Sequence, residues 1–418
     1  MRADLLVRNA RLLEGRVVDI AVQDGKIVAL EPNIRLESAE TKDAHGRVVL
    51  PGLVEAHCHL DKNLTLERVG NASGTLFEAI ENWVAFKPSL TREDYVQRAA
   101  RGLEMALGHG VTALRSHVDV SVVGGLTALE GVVEARERFA GLMDVQLVAL
   151  GGAGINAEET AMVREALNNG ADVVGGCPWI TPDPLEATRA VFDLALETGK
   201  PIDLHVDETE NANVNTLETI ARLTLERGLQ GRVTVGHCCS LEFMGSDEAE
   251  RVMDLVQQAG VHVVSLPACN LNLQGRGMHP APRGLTRVAE LLSRGVNVAF
   301  GSDNVRDPFH PIGDYDPLQS ASLGVIAAHL SGEAAMLETA EMVTTRPARA
   351  LGLEGYVLQP GCWADFVVLE ASSVLEALSA PGARVAVYKR GALVASSTVT
   401  RWNALSSTPS GERSSAWT

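Results

Sequence analysis

The hydrophobic pattern divides the chain into two β-rich ends and a long central region. Near the start, short runs with β-branched residues are separated by turns, and Asp24-Gly25 between two of them is typical of a β-hairpin. Comparable runs return after residue 360, where Gly361 and Gly391 punctuate them. The pattern predicts strands at residues 5–7, 17–22, 26–30, 364–369 and 385–388.

From about residue 48, near-continuous apolar runs alternate with stretches of helical periodicity. The runs lie at residues 50–56, 111–118, 144–150, 171–176, 202–206, 233–236, 262–266 and 297–302. Apolar runs without polar alternation are typical of strands buried on both faces of a parallel sheet. These eight runs span roughly 250 residues, the usual size of a (β/α)8 barrel. We therefore predict an α/β fold, a (β/α)8 TIM barrel with a small β-sandwich domain built from both chain ends.

This pattern also predicts where the domains begin and end. We expect residues 1–50 and 351–403 to form the two parts of the sandwich and residues 51–350 to form the barrel. The last segment, 404–418, is rich in small polar residues, and we expect it to be a disordered tail.

Composition and charge narrow the function classes. The 418 residues are 46% hydrophobic and 21% charged, which is typical of a globular protein. A net charge of −17 argues against binding nucleic acid or anionic lipid through bulk electrostatics. The six cysteines include no Cys-x-x-Cys pair, so neither a zinc finger nor a disulfide framework is indicated. No apolar run has the length of a signal peptide core or a membrane span, so we expect a cytoplasmic protein.

Polar residues follow the carboxyl ends of four apolar runs. His57 and His59 end the first run, and strand alternation places both on the same side. The fifth, sixth and eighth runs lead into His205, His237 and Asp303. In a barrel these ends form the active-site face. Imidazoles and a carboxylate in this number suit one divalent first-row metal ion, zinc or iron.

Further polar residues surround this candidate metal site. Glu208 follows His205 closely and can shuttle a proton beside a metal ion. We expect His117 and Asp119, which end the second run, to support the site without binding the ion. Whether Cys238 and Cys239 line the pocket stays open. His262 begins its run and is expected to be structural, whereas we expect a solvated surface position for His45, His109, His279, His310 and His329.

These strand-end residues together resemble the amidohydrolase superfamily. Within it, the bacterial cytosine deaminase group has signatures similar to PGLVEAHCHLDK, SGTLFEAIENW, RSHVDV, LHVDETEN, NLNLQGR and GSDNVRDPFHPIG. The resemblance extends to about residue 400. It implies His57, His59, His205 and Asp303 as ligands of one divalent metal ion. It further implies that Asp303 accepts a proton from the attacking water, Glu208 protonates the ring nitrogen, and His237 orients the hydroxide.

The chain departs from the cytosine deaminase pattern where the substrate is recognised. Gly152 stands where a glutamine is expected, Asn304 where an aspartate is expected, and Phe309 where a tryptophan is expected. With Gln274 of the NLNLQGR segment, these are the expected substrate contacts. Because two hydrogen-bonding side chains are replaced, we expect unsubstituted cytosine to be a poor substrate and a bulkier heterocycle to be better.

The predicted function is hydrolytic removal of an exocyclic amino group from a nitrogen heterocycle, with release of ammonia. Cytosine or a substituted cytosine is the first candidate. An s-triazine or another amino-heterocycle is the alternative, because SDNVRD is similar to a relative that removes an alkylamine from a triazine. Hydrolysis of a cyclic amide and a non-catalytic interaction protein are the remaining alternatives. We expect a small heterocyclic substrate, further copies of the chain in a homo-oligomer, and neither nucleic acid nor membrane as partners.

Overall fold

The computed structural model describes residues 2–400, so the predicted tail at 404–418 lies outside the described residues. The strands are, in chain order, β1 (Arg2–Arg11), β2 (Val17–Gln23), β3 (Lys26–Glu31), β4 (Glu37–Asp43), β5 (Val49–Pro51), β6 (Leu53–Cys58), β7 (Val111–Asp119), β8 (Asp144–Leu150), β9 (Val173–Gly176), β10 (Ile202–Val206), β11 (Val233–His237), β12 (His262–Ser265), β13 (Val298–Phe300), β14 (Phe366–Leu369), β15 (Arg384–Lys389) and β16 (Ala392–Ala395).

Helices follow most of the barrel strands. They are α1 (Leu76–Phe86), α2 (Arg92–Gly108), α3 (Thr127–Arg138), α4 (Ala157–Asn168), α5 (Pro184–Thr198), α6 (Thr216–Glu226), α7 (Ser240–Phe243), α8 (Ser246–Gln258), α9 (Pro267–Leu273), α10 (Val288–Ser293), α11 (Pro317–Ala327), α12 (Glu333–Glu341), α13 (Thr345–Ala350) and α14 (Val374–Ser379). Short 3-10 helices lie at Lys87–Ser89 and Pro178–Ile180. No helix among residues 2–400 combines the length and apolar composition needed to cross a membrane.

The barrel is the central sheet, in which β6 to β13 pair in parallel in chain order. Every residue is buried in β6, β9, β10, β11, β12 and β13. This burial explains why the apolar runs lack polar alternation. The ring closes at its upper edge, where the Asp303 amide donates to the His57 carbonyl at 2.9 Å. The predicted α/β barrel is confirmed.

The first apolar run is two strands rather than one. β5 pairs with β14 in the small domain, whereas β6 pairs with β7 in the barrel. Gly52 lies between them, and a Cβ atom there would collide with the side chain of Thr112. Both strands are buried, so the run stays apolar across the point where the chain passes between domains.

The small domain consists of two four-stranded sheets among the described residues, in the orders β3-β2-β1-β4 and β16-β15-β14-β5. One core joins the two sheets, with contributions that include Leu5, Ile20, Phe366 and Tyr388. Both chain ends therefore build one small β domain, as expected. The hairpin turn has positive φ at Asp24 and Gly25, as a type I′ turn requires. The exact domain boundaries stay a prediction.

A buried ion pair connects the small domain to the barrel. Arg384 of β15 pairs with Asp316, which caps the first turn of α11. The Arg384 guanidinium also donates to the carbonyls of His109 and Gly382 at 3.0 and 2.6 Å. The small domain thus contacts the barrel helices through specific polar bonds as well as through β5.

Candidate active site

Four of the predicted ligands converge at the carboxyl ends of the barrel strands. The ligand atoms of His57, His59, His205 and Asp303 all lie within 4.8 Å of one another. The Nε2 atoms of His59 and His205 are 3.1 Å apart, and the His59 Nε2 is 3.2 Å from Asp303 Oδ1. The His57 Nε2 lies 3.5 Å from the same oxygen. All four side chains are buried.

The donor set fits a divalent metal ion. Both ring nitrogens of His57, the Nδ1 of His205 and the Oδ1 of Asp303 are buried without a hydrogen-bond partner. Unpartnered buried polar atoms are costly unless a ligand binds them. Burial lowers the pKa of His57 to about 4, despite the neighbouring Asp303 carboxylate, and lowers the pKa of His205 as well. Both imidazoles are therefore neutral, which is the form that binds a metal ion.

The predicted proton carrier lies beside this set. Glu208 Oε1 is 3.3 Å from His237 Nδ1, and the Asn270 amide lies within hydrogen-bond distance of both, at 3.2 and 3.0 Å. Burial alone would lower the pKa of His237, but the Glu208 and Asp303 carboxylates outweigh it and raise the pKa. His237 has a φ of 69°, a left-handed conformation that is uncommon outside glycine and occurs at functional sites. Asn270 was missed by sequence reasoning, because nothing in its local pattern marks it as polar and buried.

Asp207 fixes the backbone that carries Glu208. Its carboxylate accepts the amides of Thr216 and Leu217 at 3.1 and 2.9 Å, at the start of α6. The chain thus turns sharply after β10, and Asp207 itself has a φ of 49°. Of the loop acids after His205, Asp207 anchors the loop and Glu208 faces the site.

Glu55 is a buried carboxylate that the sequence analysis did not single out. It accepts the amide of His57 at 3.0 Å and the amide of Ser302 at 3.1 Å. Burial raises its pKa to about 7. It lies on β6, two residues before the first ligand.

His117 lies beneath the ligands, as expected for a supporting residue. Its ring centroid is 4.0 Å from that of His57, and its Nε2 is 3.6 Å from Asp203 Oδ1. The Arg115 guanidinium pairs with Asp203 at 2.8 Å. His57, His117 and Asp203 form a second possible donor group, but it shares His57 with the first and has a cation beside it.

Asp119 organises the cavity wall next to the ligands. It accepts Lys62 Nζ at 2.6 Å and Trp83 Nε1 at 2.7 Å. Burial would lower the pKa of Lys62, but Asp119 and Asp61 outweigh it and raise the pKa, so the lysine stays charged. Lys87 lies 3.5 Å from the same carboxylate. Lys62 is thus held in an ion-pair network on the cavity wall.

One cavity of about 370 Å³ opens above the ligands. Its inner end contains His59, His205, Glu208, His237 and Asp303. The rest of its wall is mostly apolar, and includes Leu76, Ile80, Trp83, Val84, Leu150, Ile155, Trp179, Ile180, Leu273 and Phe309. The side chains from α1 recur at helical spacing, so α1 covers one side of the cavity.

The predicted substrate contacts divide into two groups. Gly152, Asn304 and Phe309 line the cavity. Gln274 does not appear in the cavity wall, and its amide lies 3.4 Å from the Glu208 carbonyl. A Cβ at Gly152 would meet Ile155 Cδ1 at 2.9 Å, so the space beside this glycine is already occupied.

The structure also gives the positions of the remaining cysteines and histidines for which the sequence left an expectation. Cys238 and Cys239 are fully buried and are absent from the described cavity wall. His262 bonds Asn297 and the Gly231 carbonyl, as expected for a structural residue. The expectation of a surface position for His310 is wrong.

His310 is buried because the segment after Asp303 folds back over the site. Its Nδ1 lies 3.2 Å from the Asn304 carbonyl, and its amide donates to Asp307 at 3.1 Å. His109 is also partnered, since its ring lies between Asp314 and Asp316 at 3.2 and 3.6 Å.

Comparisons with known proteins identify the family of this chain. The amidohydrolase family model matches residues 40–395. A pterin deaminase from Rhizobium rhizogenes is 34% identical over 398 residues, covering 90% of this chain and 87% of the relative. The N-isopropylammelide isopropyl amidohydrolase of a Pseudomonas species is 30% identical, covering 94% and 97%. The crystal structure of a 5-methylcytosine deaminase from Klebsiella pneumoniae superposes with a TM-score of 0.90 at 32% identity, covering 95% and 99%. The family match over most of the chain and the two relatives at 30% identity or more show that this protein belongs to the amidohydrolase family.

Proposed function

We propose that this amidohydrolase removes an exocyclic amino group from a substituted nitrogen heterocycle and releases ammonia. The observation that carries the proposal is the pairing of Glu208 with His237 beside the four-donor set, at the closed end of a largely apolar cavity. A proton carrier next to a hydrolytic metal site is what loss of ammonia requires, because the leaving amine must be protonated.

His57, His59, His205 and Asp303 would hold one divalent ion, zinc or iron. When bound there, the ion lowers the pKa of water and so supplies hydroxide near neutral pH. Two other possible donor groups in the described part of the chain share a residue with this one, which favours a single ion. They are His57, His117 and Asp203, and Glu208, Cys269 and Asp303.

The protein's own residues then move protons. The Asp303 carboxylate lies in the ligand cluster and accepts a proton from the attacking water. The Glu208 carboxyl delivers one proton of the attacking water to the ring nitrogen, and it then relays the proton that Asp303 accepted to the departing amino group, so that one proton of water stays on the ring and the other leaves in ammonia. Asn270 donates to Glu208 and also contacts His237, so it holds the two side chains in fixed relation. His237 has its Nε2 unpartnered and buried, free to orient the attacking oxygen.

The cavity favours a heterocycle with an added substituent or second ring. Trp83, Trp179 and Phe309 provide aromatic surface beyond the metal end, where bare cytosine would leave apolar wall in contact with water. Two relatives are named for substrates with such additions, one for pterin and the other for 5-methylcytosine. We propose 5-substituted cytosines and pterins as the substrate class. The protein would act in the cytoplasm, as a homo-oligomer.

Ammonia release from the metal-loaded protein tests the proposal. The panel contains cytosine, 5-methylcytosine, pterin, an amino-triazine and an N-alkylated triazine, with alkylamine measured alongside ammonia. We expect ammonia from a substituted cytosine or a pterin at the highest kcat/KM. Alkylamine release from the N-alkylated triazine as the best reaction would favour the triazine alternative, and no turnover of any amino-heterocycle would contradict the proposal.

A further inference from the structure

The seam where the barrel closes differs from the other strand pairings. Between β6 and β13 the described residues form a single bridge, between Cys58 and Asp303, in place of a ladder. In the lower part of the seam, the Val54 amide donates to the Val343 carbonyl and the Phe300 amide to the Met342 carbonyl, each at 2.9 Å. The segment after α12 thus takes the hydrogen bonds that direct strand pairing would supply.

In the upper part of the seam, the Glu55 side chain supplies hydrogen bonds in place of direct strand pairing. Its Oε1 accepts the His57 amide at 3.0 Å and the Ser302 amide at 3.1 Å, and its Oε2 is 3.2 Å from the same Ser302 nitrogen. One carboxylate thereby joins the first and last barrel strands. The two amides belong to the proposed ligand His57 and to the residue before the proposed ligand Asp303.

The opposite strand leaves space for this carboxylate. Gly301 has no side chain, and a Cβ there would lie 3.0 Å from Glu55 Oε1 and 3.0 Å from the His57 carbonyl. Those contacts are tighter than ordinary van der Waals packing. Any larger residue at Gly301 would therefore push β13 away from β6 or displace the carboxylate.

We propose that Glu55 is a positioning residue that sets the distance between His57 and Asp303, and so the affinity of the site for its metal ion. The proposal rests on the proposed function, since it takes these two residues as ligands. A buried carboxylate is costly, and an apolar residue would pack in this interior position without that cost. The carboxylate is explained by the two amides it accepts, because both would otherwise be buried without partners.

The test compares four variants. Glu55→Met keeps the side-chain length without an acceptor, and Glu55→Gln keeps one oxygen that can accept both amides. Gly301→Ala perturbs the same contact from the other strand. Asp19→Leu is the matched control, because Asp19 is a buried carboxylate in the small domain that accepts the amides of Asn9 and Ile34.

Three measurements separate positioning from general stability: zinc affinity by chelator competition, the visible spectrum of the cobalt-substituted protein, and the unfolding midpoint of the metal-free protein. Loss of a group that orients metal ligands costs about 10–100-fold in affinity, and we expect this for Glu55→Met and Gly301→Ala, with an altered cobalt spectrum. We expect Glu55→Gln to stay near wild type. Asp19→Leu should lower the unfolding midpoint and leave zinc affinity unchanged.

The proposal is overturned if Glu55→Met lowers only the unfolding midpoint, with zinc affinity and cobalt spectrum as in wild type. It is also overturned if Glu55→Gln loses as much affinity as Glu55→Met, since charge rather than the accepted amides would then matter. If Glu55→Met does not fold, unchanged affinity in Gly301→Ala overturns it and weakened affinity supports it. Failure of the proposed function has a different signature, in which wild type itself binds no divalent ion.

Discussion

Two acidic side chains close together in the sequence differ in role here, because each contacts different groups. Glu208 and Glu210 are two residues apart in one loop, yet Glu208 contacts His237 and Asn270, whereas Glu210 accepts the Gly275 amide at 2.6 Å. A carboxylate that accepts one backbone amide can be replaced by an amide oxygen, whereas a carboxylate that carries a proton cannot. The two residues therefore give opposite expectations for the same substitution.

Glu208→Gln should retain the fold and the metal ion while turnover falls by about 10²- to 10⁴-fold, the usual contribution of general acid–base catalysis. Glu210→Gln is the matched control and should keep near-normal turnover. Steady-state kinetics and elemental analysis of both variants check this. Near-normal kcat in Glu208→Gln would contradict its role as proton carrier.

At the residue scale, we expect substrate specificity to depend on Gly152. Glutamine there should raise kcat/KM for unsubstituted cytosine relative to larger rings, by up to about tenfold for one added neutral hydrogen bond. Ile155 must move to admit the side chain, which is feasible because it is 49% exposed. Gly152→Ala is the control, as it fills space without adding a donor or acceptor. The measurement is kcat/KM for cytosine, 5-substituted cytosines and pterin.

The contrary outcome is that wild type prefers cytosine while Gly152→Gln only loses activity. That outcome would show that this position does not determine which ring is bound. Asn304→Asp is unsuitable as a partner substitution. The Asn304 amide donates to Asp307 at 2.6 Å, so an aspartate would place two carboxylates in contact.

At the scale of elements, the ends of the strands matter more than their interiors. Interiors are mostly apolar, with a few buried exceptions such as Glu55, Arg115 and Asp203, so they predict burial but not which sheet a strand joins. Gly52 separates β5 from β6, and the apolar run at residues 50–56 gives no sign of this division. β4, with the sequence ESAETKD, was missed because it is polar and mostly exposed, and it pairs with β1 in parallel.

The junction of α11 with β15 gives a stability prediction. Arg384→Met leaves the buried Asp316 carboxylate without its arginine partner, and removing one partner of such a pair typically costs about 3–5 kcal/mol. Arg138→Met breaks an exposed pair with Glu134 on α3 and should cost less than about 1 kcal/mol. Denaturant unfolding of both variants checks the difference. Equal small effects would show that the buried pair does not hold the domains together.

For the whole molecule, the metal ion count follows from how the barrel gathers its donors. Possible donor groups among residues 2–400 overlap in His57 or Asp303, so occupation of one excludes independent occupation of another. We expect one tightly bound divalent ion per chain. Elemental analysis measures this, and two equivalents per active chain would contradict it.

Removal of the ion should abolish turnover and lower the unfolding midpoint, because a ligand that binds only the folded state stabilises it. His205→Ala should reproduce both effects. His262→Gln is the control, since His262 is also a buried histidine on a barrel strand but bonds Asn297 and Gly231. Full activity after complete metal removal would contradict a metal-dependent reaction.

The sequence by itself determined the barrel, the small domain and the set of polar residues at the strand ends. Parallel strands covered on both faces are mostly apolar along their length, and their carboxyl ends meet at one edge, so the apolar runs and the residues that follow them carry this information. The site residues that came from these ends were brought together as expected. The positions of Gln274 and His310 depend on the paths of loops, and the periodicity of the sequence does not predict those paths.

Only the tertiary structure revealed the buried polar residues that contact the proposed ligands and their neighbours. Glu55 and Ser302 are 247 positions apart, and Asn270 reaches Glu208 from 62 positions away. Each looks like an ordinary polar residue inside an apolar run or a short helix. Ser302 and Glu208 lie just beyond the ends of β13 and β10, so these contacts exist only once the barrel has closed. The sequence pattern predicts which residues are buried, whereas closure of the barrel determines which buried polar groups contact one another.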